Sequence, residues 1–452
     1  MNATLADLLS TSGGRVSLKD AKAVRPRIDE VARLAVFGAA DERDLARYVI
    51  HEAAPEFGAI PASIQGLYMA RGRGEVSGFT VPAVNIRGMA YDMSRALFRA
   101  MQATNGGATV FELARSEMGY THQDPAEIAA VVLAAAIAEG YQGPVFIQGD
   151  HFQANAKKYA TDAEGEALAL EDLIRQAVAA QFYNIDIDAS TLVDLSFDTV
   201  ADQQAPNSQL TARLAKLVRE LQPEGVTISI GGEIGEVGKH NSTVEELIAY
   251  VDGVREIVGW DFAGISKVSV QTGTSHGGIP LPDGSMAKVA IDFDTLREMS
   301  RVARERYGMA GAVQHGASTL PDELFHRFPE VETSEIHLAT GFQNLVLDHH
   351  EFPAGLLAEM RAYCDAELAG ERSEGETDTQ FFYKTRKKTW GPFKQQTWDI
   401  PAAIRTALFA EMQSKFEFLI GQLRATNTRE ITLRHVEQKR VDVEPPAVAA
   451  RV

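Results

Sequence analysis

The sequence predicts an α/β chain, a TIM (β/α)8 barrel set between an N-terminal helical extension and a mostly helical C-terminal extension. Three observations carry that expectation. Between Gly78 and about Arg361, short apolar runs alternate with longer amphipathic segments, the pattern of parallel strands joined through helices. Eight such units follow one another, the count that closes a barrel of about 250 residues or somewhat more. No glycine fingerprint follows the first strand, so the main signal for a doubly wound open sheet is missing.

Residues 1–77 read as the N-terminal helical extension. Ser17 to Val36 and Asp41 to Glu56 carry apolar residues at helical spacing, with a break at Gly38. Residues 78–364 read as the barrel. Its strands are expected at Thr80–Asn85, Ala108–Leu113, Val145–Gly149, Asn184–Asp188, Thr227–Gly231, Lys267–Gln271, Ala312–His315 and Glu335–Leu338. Helices are expected at Met89–Ala103, Pro125–Glu139, Leu168–Ala180, Ser208–Leu221, Thr243–Val258, Phe293–Tyr307, Pro321–Phe328 and Phe342–Met360. Residues 365–452 form the C-terminal extension, with an acidic loop at Glu367–Thr379, one amphipathic helix at Ile404–Leu423 and a loose tail from Val441.

Composition narrows the function classes. With 44 Lys and Arg against 62 Asp and Glu, the chain carries a net charge of −18. That balance disfavours nucleic acid or an anionic membrane as partner, while leaving room for local cations that bind a phosphorylated small molecule. Cys364 is the only cysteine. An internal disulfide and a thiolate metal site are therefore excluded, and the usage fits a reducing cytoplasm. Neither a signal peptide nor an apolar stretch of about 20 residues is expected.

The chemistry starts at Val145–Gln153, where an apolar run ends abruptly in Gly149, Asp150 and His151. His276 and His315 stand just past the sixth and seventh expected strands in the same way. A barrel gathers all strand C-termini on one face, so these three imidazoles converge there. Three neutral imidazoles with one open position make the ligand set of a catalytic zinc. Gly277 and Gly278, Gly316 to Ser318, and Thr340 with Gly341 supply small residues, hydroxyls and backbone N–H groups after the last strands. Barrels commonly cradle a phosphate there; the alternative is ordinary tight turns. Asp150 reads either as a proton-moving carboxylate or as a capping residue beside the metal. Glu233 reads as a carboxylate orienting a histidine, an acid/base, or a surface residue.

These motifs occur together in a known order. Gly149-Asp150-His151, Ile187-Asp188-Ala189-Ser190, Glu233-Ile234-Gly235, Gly273-Thr274-Ser275-His276-Gly277, His315-Gly316-Ala317-Ser318 and Ile336 to Thr340 resemble the class II, zinc-dependent ketose-bisphosphate aldolases. Val81-Pro82-Ala83-Val84-Asn85 is similar to that family's first strand. The resemblance covers roughly Gly78 to Arg361. It implies that His151, His276 and His315 hold one zinc ion per subunit and that Asp150 moves the proton of the aldol hydroxyl. It also implies that Gly277, Gly316, Ser318 and Thr340 hold the donor phosphate, with Asn85 and His337 along the substrate and Glu233 supporting the metal. A phosphorylated sugar substrate, a monovalent cation near the phosphate and a homo-oligomer follow from the same resemblance. The implied reaction makes or cleaves a phosphorylated ketose through a zinc-stabilised enediolate, with no lysine Schiff base; Lys267, at the start of its strand, is expected away from the site.

Three departures bear on this. His337 stands where the family usually has an asparagine touching the donor. The loop after the fifth strand offers only His240 or Glu236 in place of the usual acidic residue. The seventh-strand loop reads Gly316-Ala317-Ser318 where Gly-Gly-Ser is usual. Beyond the resemblance, Phe381–Lys394 interleaves aromatics with Lys384, Arg386, Lys387 and Lys388. It reads either as an anion-binding segment or as a solvated basic turn with aromatics packed beneath. The departures also leave open a companion subunit that binds zinc or phosphate without catalysis.

Overall fold

The computed structural model describes residues 2–12, 15–235, 240–273, 281 and 291–446. Eight parallel strands form one closed ring: β1 Val81–Asn85, β2 Val110–Ala114, β3 Gly143–Gln153, β4 Asn184–Asp188, β5 Ser229–Gly235, β6 Lys267–Val270, β7 Ala312–Gln314 and β8 Glu335–Leu338. Each strand pairs with the next, and β8 returns to β1 with Glu335 opposite Val81. The expected eight strands are all present and the barrel is shown.

Alternation along the strands explains the barrel's two sides. Phe111, Leu113, Ile336 and Leu338 belong to the apolar core beneath the helices. Glu112, Glu335 and His337 occupy the intervening positions, all buried, and bond to one another or to side chains of other strands inside the ring. A barrel interior is usually filled by branched apolar side chains. Here much of it is ionisable, and that requires matched partners.

The N-terminal extension differs from the expected pair of helices. Leu9–Ser12 and Arg15–Leu18 form an antiparallel hairpin, two 3-10 turns follow, and the first long helix begins only at Ile28. Val24-Arg25-Pro26 interrupts the helical spacing, because proline lacks the donor N–H and biases its predecessor away from helix. Helices Ile28–Phe37 and Ala40–Glu56 pack on Pro125–Glu139. That helix is apolar on every side, and residues Ile128 to Ile137 are all buried between barrel and extension. Ala59–Pro61 adds a short parallel strand to the start of β3, and helix Gln65–Gly72 closes the N-terminal end of the ring. From it Tyr68 donates to Glu335, and Arg71 bonds Glu332 and the carbonyls of Phe79 and Thr333.

The seventh crossover is a 3-10 turn at Asp322–Leu324 and a single turn at Arg327–Glu330, shorter than expected. The eighth helix divides into Thr340–Leu347 and Ala354–Glu367, since Pro353 ends one path and starts the next. In the C-terminal extension, Asp378–Thr385 is helical and Ala402–Gln422 packs along Ala90–Thr104. Trp398 ties the extensions together, edge-on to Phe37 at 5.4 Å and stacked on Tyr91 at 5.8 Å.

Candidate active site

The C-terminal ends of the strands open into a cavity of about 500 Å³, lined by Asn85, Glu112, Asp150, His151, His315, Gly316, Ser318, His337 and Thr340 among others. The end of β3 makes it possible for two consecutive residues to face one pocket. The β3–β4 register shifts between Gly149 and Phe152, and His151 takes a left-handed φ of 40°. This bulge turns both Asp150 and His151 into the cavity. An L-residue held in that conformation stores strain, as functional sites often do. A second register shift, between Glu233 and Gly235 in β5, lies across the site.

His151 is held through Nδ1, which lies 3.0 Å from Asp188 Oδ2 and 2.9 Å from Glu233 Oε2. Its Nε2 lies 3.9 Å from Asp150 Oδ1. Donation from Nδ1 to those carboxylates selects the tautomer that leaves Nε2 as the ligand atom. Its ring stands 4.1 Å from that of His315, which in turn is 4.0 Å from that of His337. His315 Nε2 is 2.8 Å from Ser269 Oγ. Ligand atoms of Asp150, His151 and His315 all lie within 4.8 Å of one another. His276 and Gly277 lie outside the described residues, as does Glu236.

The donor set fits a divalent cation. Two imidazoles converge with the Asp150 carboxylate beside them, further carboxylates orient His151, and the pocket gathers negative charge around the point where a cation would sit. Burial pushes the Glu233 carboxyl up to about 7, with Asp188 adding to it. Burial opposes charge on His151, yet Asp150, Glu233 and Asp188 hold its imidazole well above the usual range. For Asp188 burial is outweighed by donors from His151, Ser190 and Gln153, which hold its carboxyl below the usual range. A site whose carboxylates hold a histidine protonated is one where a metal can replace that proton.

His337, the residue in place of the family's asparagine, is buried at the base of the pocket. Its Nδ1 lies 3.0 Å from Glu112 Oε2 and 3.1 Å from Asp150 Oδ1, and Nε2 lies 2.6 Å from Glu335 Oε1. It therefore touches Asp150 directly, a contact the sequence did not suggest. Burial works against charge on this ring too, and Glu112 and Asp150 hold it well above its usual range. Glu112 in turn is pushed up to about 7 by burial and then by Asp150.

Lys267, expected away from the site, is the first residue of β6, but its side chain lies inside the ring. Nζ lies 2.8 Å from Gln148 Oε1 and 2.9 Å from Asp186 Oδ2, and also pairs with Glu335. It sits one contact below His337, anchoring the floor of the pocket, with no access to a substrate carbonyl. Ser318 Oγ accepts from Gly341 N–H at 3.0 Å, so the loops after β7 and β8 are joined beside Thr340. Asn85 donates to Glu117 and accepts from Arg87 N–H and Nε–H at 3.2 and 3.1 Å. His240 is exposed, lies 2.8 Å through Nδ1 from the Asn241 carbonyl, and is not among the residues lining the cavity. Sequence reasoning gave no role to Glu112, Asp188 or Ser269. Glu112 and Ser269 signalled themselves only as polar residues in otherwise apolar strands, which point inward by alternation, while Asp188 stood within the Ile187-Asp188-Ala189-Ser190 motif.

The family model for fructose-bisphosphate aldolase class-II matches residues 73–391. No curated protein matches the chain. Among solved structures, a probable tagatose 6 phosphate kinase from Sinorhizobium meliloti 1021 superposes with a TM-score of 0.55 at 15% identity, covering 78% of this chain and 99% of that one. Fructose-bisphosphate aldolase from Campylobacter jejuni gives 0.50 at 16%, covering 82% and 96%. The fructuronate-tagaturonate epimerase UxaE from Cohnella laeviribosi gives 0.51 at 12%, covering 95% and 94%. These likenesses show the shared fold. Because the family match takes in the whole barrel and the first part of the C-terminal extension, the chain belongs to the class-II fructose-bisphosphate aldolase family.

Proposed function

We propose that the chain is a metal-dependent aldolase that makes or cleaves a phosphorylated ketose, with a dihydroxyacetone-phosphate-like donor. The observation that carries the reading is the convergence of Asp150, His151 and His315 at the bulged end of β3, oriented by Asp188 and Glu233. His151, His315 and His276 would hold zinc, with Glu233 and Asp188 fixing the His151 ring. When bound, the metal supplies Lewis-acid stabilisation of negative charge on the substrate carbonyl oxygen.

The remaining steps fall to the chain's own side chains. In cleavage, Asp150 accepts the proton of the hydroxyl on the carbon that becomes the aldehyde. The carbon–carbon bond breaks, its electron pair passes to the donor half, and a proton then completes the ketone product. In condensation Asp150 returns its proton to the new hydroxyl. His337, 3.1 Å from Asp150, fixes that carboxylate and lowers the cost of its charge between turnovers. Gly316, Ser318 and Thr340, in the joined loops after β7 and β8, form the proposed seat of the donor phosphate, with Gly277 completing it and a monovalent cation alongside. The working form is proposed to be a cytoplasmic homo-oligomer.

Solvent-deuterium exchange at the donor carbon of dihydroxyacetone phosphate, followed by proton NMR, tests this without knowledge of the aldehyde. Exchange is expected with zinc and is expected to stop on chelation. Asp150→Ala is expected to keep its zinc and lose aldol cleavage by roughly 10² to 10⁴-fold. Normal cleavage by that variant would remove Asp150 from the proton step. No exchange by zinc-loaded protein would favour the companion-subunit reading. Epimerisation, the activity named for the Cohnella laeviribosi protein, is a second reading, since that likeness extends over both extensions. Product analysis on an epimeric pair of ketoses separates it from net cleavage.

A further inference from the structure

We propose that a cavity between the N-terminal extension, the outer helices of the barrel and the C-terminal tail is a second ligand site, which takes a small organic ammonium with an apolar body. It shares no lining residue with the pocket at the strand C-termini, and two of its walls come from the terminal extensions. The inference stands independently of the aldolase reading.

The cavity spans about 460 Å³, within the size range of small-molecule sites. Tyr48, Pro125, Ala126, Ala179, Val443 and Pro446 make much of its wall apolar. One buried polar atom is left for it to satisfy. His51 lines the cavity, is 8% exposed, and has Nδ1 2.9 Å from Gln181 Oε1. Gln181 Nε2 donates to the Val441 carbonyl at 2.8 Å, and since a carbonyl only accepts, the amide stands with its oxygen toward His51. His51 Nδ1 is therefore the donor of that pair. Nε2 carries the lone pair of the neutral ring, the form that burial favours, and has no hydrogen-bond partner among the described residues. A ligand that brings an N–H or O–H satisfies it.

Charge selects among such donors. The Arg47 guanidinium in the lining is already engaged: Nη1 lies 3.0 Å from Asp124 Oδ1, Nη2 lies 3.6 Å from Glu127 Oε2, and Nε donates to the Ala35 carbonyl at 3.0 Å. Asp44 and Glu444 are exposed at the mouth and have no ion-pair partner among the described residues. The lining thus repels an anion and favours a cation. The chain also keeps this arrangement against backbone preference. Gln181 takes a left-handed φ of 64° just past helix Ala163–Ala179, at a position where glycine commonly ends a helix. A glycine there would lack the amide that joins His51 to the tail. Arg440 pins the same tail through Glu52 at 3.4 Å and Glu56 at 2.5 Å, which holds Val443 and Pro446 in place as a wall.

The test is calorimetric titration of the full chain with tryptamine and with indole-3-propionate, which carries a carboxylate in place of the ammonium. A single tryptamine is expected to bind per chain, and indole-3-propionate to bind more weakly by about tenfold or more. His51→Phe keeps a ring, removes the acceptor and is expected to weaken tryptamine by about tenfold. Ala179 is exposed, so Ala179→Trp fills the cavity without entering the core, and it is expected to abolish binding. That variant decides alone if His51→Phe does not fold. Indole-3-propionate binding as tightly as tryptamine would overturn the ligand class. Absence of tryptamine binding at millimolar concentration, or binding unchanged in Ala179→Trp or in folded His51→Phe, would overturn the site.

Discussion

The barrel interior holds two charged clusters only a few ångströms apart, and they solve the problem of buried charge in opposite ways. In the lower one, Lys267, 1% exposed, meets Asp186, Glu335 and Gln148, while Tyr68 donates to Glu335 from beneath. Both carboxylates there share one ammonium of the chain itself. In the upper one, Asp150, Asp188, Glu233 and Glu112 surround His151 and His337 with a surplus of carboxylate. Charge that the chain closes on itself is structure; charge left in surplus beside a cavity is a place for a cation. Glu335 belongs to both, bonded to Lys267 below and His337 above, so the closed cluster fixes the height at which the open one stands.

Breaking the lower cluster should have the largest effect. Lys267→Met leaves Asp186 and Glu335 buried without their ammonium, and the loss is expected at about 3–5 kcal/mol in denaturant unfolding. A loss under about 1 kcal/mol would show that His337 alone can balance both carboxylates. The upper cluster should respond differently. Glu233→Gln keeps the shape beside His151 but removes one of the charges that hold its Nδ1 proton. Zinc affinity, measured by competition with a chelator, is expected to fall by about ten- to a hundredfold with little change in unfolding. If stability fell and affinity held, the functional and structural labels of the two clusters would have to be exchanged.

The difference also explains what the sequence disclosed. Strands such as Asn184–Asp188 and Glu335–Leu338 were legible to the residue, because strand-length runs in which apolar residues alternate with polar or ionisable ones stand apart from the helical spacing on either side. Asp150 and His151 stood out as ionisable residues where the apolar run from Val145 stops. The bulge that turns both into one pocket was not legible, since strand alternation alone would send them apart. Nor was the contact of His337 with Asp150, made between strands 187 residues apart in sequence. The hairpin at Leu9–Leu18 was hidden beneath a helical apolar spacing. Local pattern names the elements, while pairing across the ring decides which charges are spent.

A buried histidine outside both clusters sharpens the contrast and carries the smallest effect. His51 packs between the N-terminal extension and the barrel, with Nδ1 2.9 Å from Gln181 Oε1. Burial lowers its pKa, the Gln181 contact opposes this, and Arg47 lowers it further. With no carboxylate paired to it among the described residues, this ring's pKa is lowered by burial, where carboxylates raise those of His151 and His337. Its pKa in the folded chain is below the unfolded value, so the unfolded chain binds the extra proton as the medium becomes acidic. Stability is therefore unaffected above the unfolded pKa of about 6.5 and is lost as pH falls from there toward the folded value, by up to about 1.4 kcal/mol per pH unit. His51→Gln does not titrate, so the unfolding free energies of variant and wild type should converge between about pH 7.5 and 5.5. A constant gap across that range would mean that His51 takes up its proton in the folded state, and that burial alone does not keep a histidine neutral in this fold.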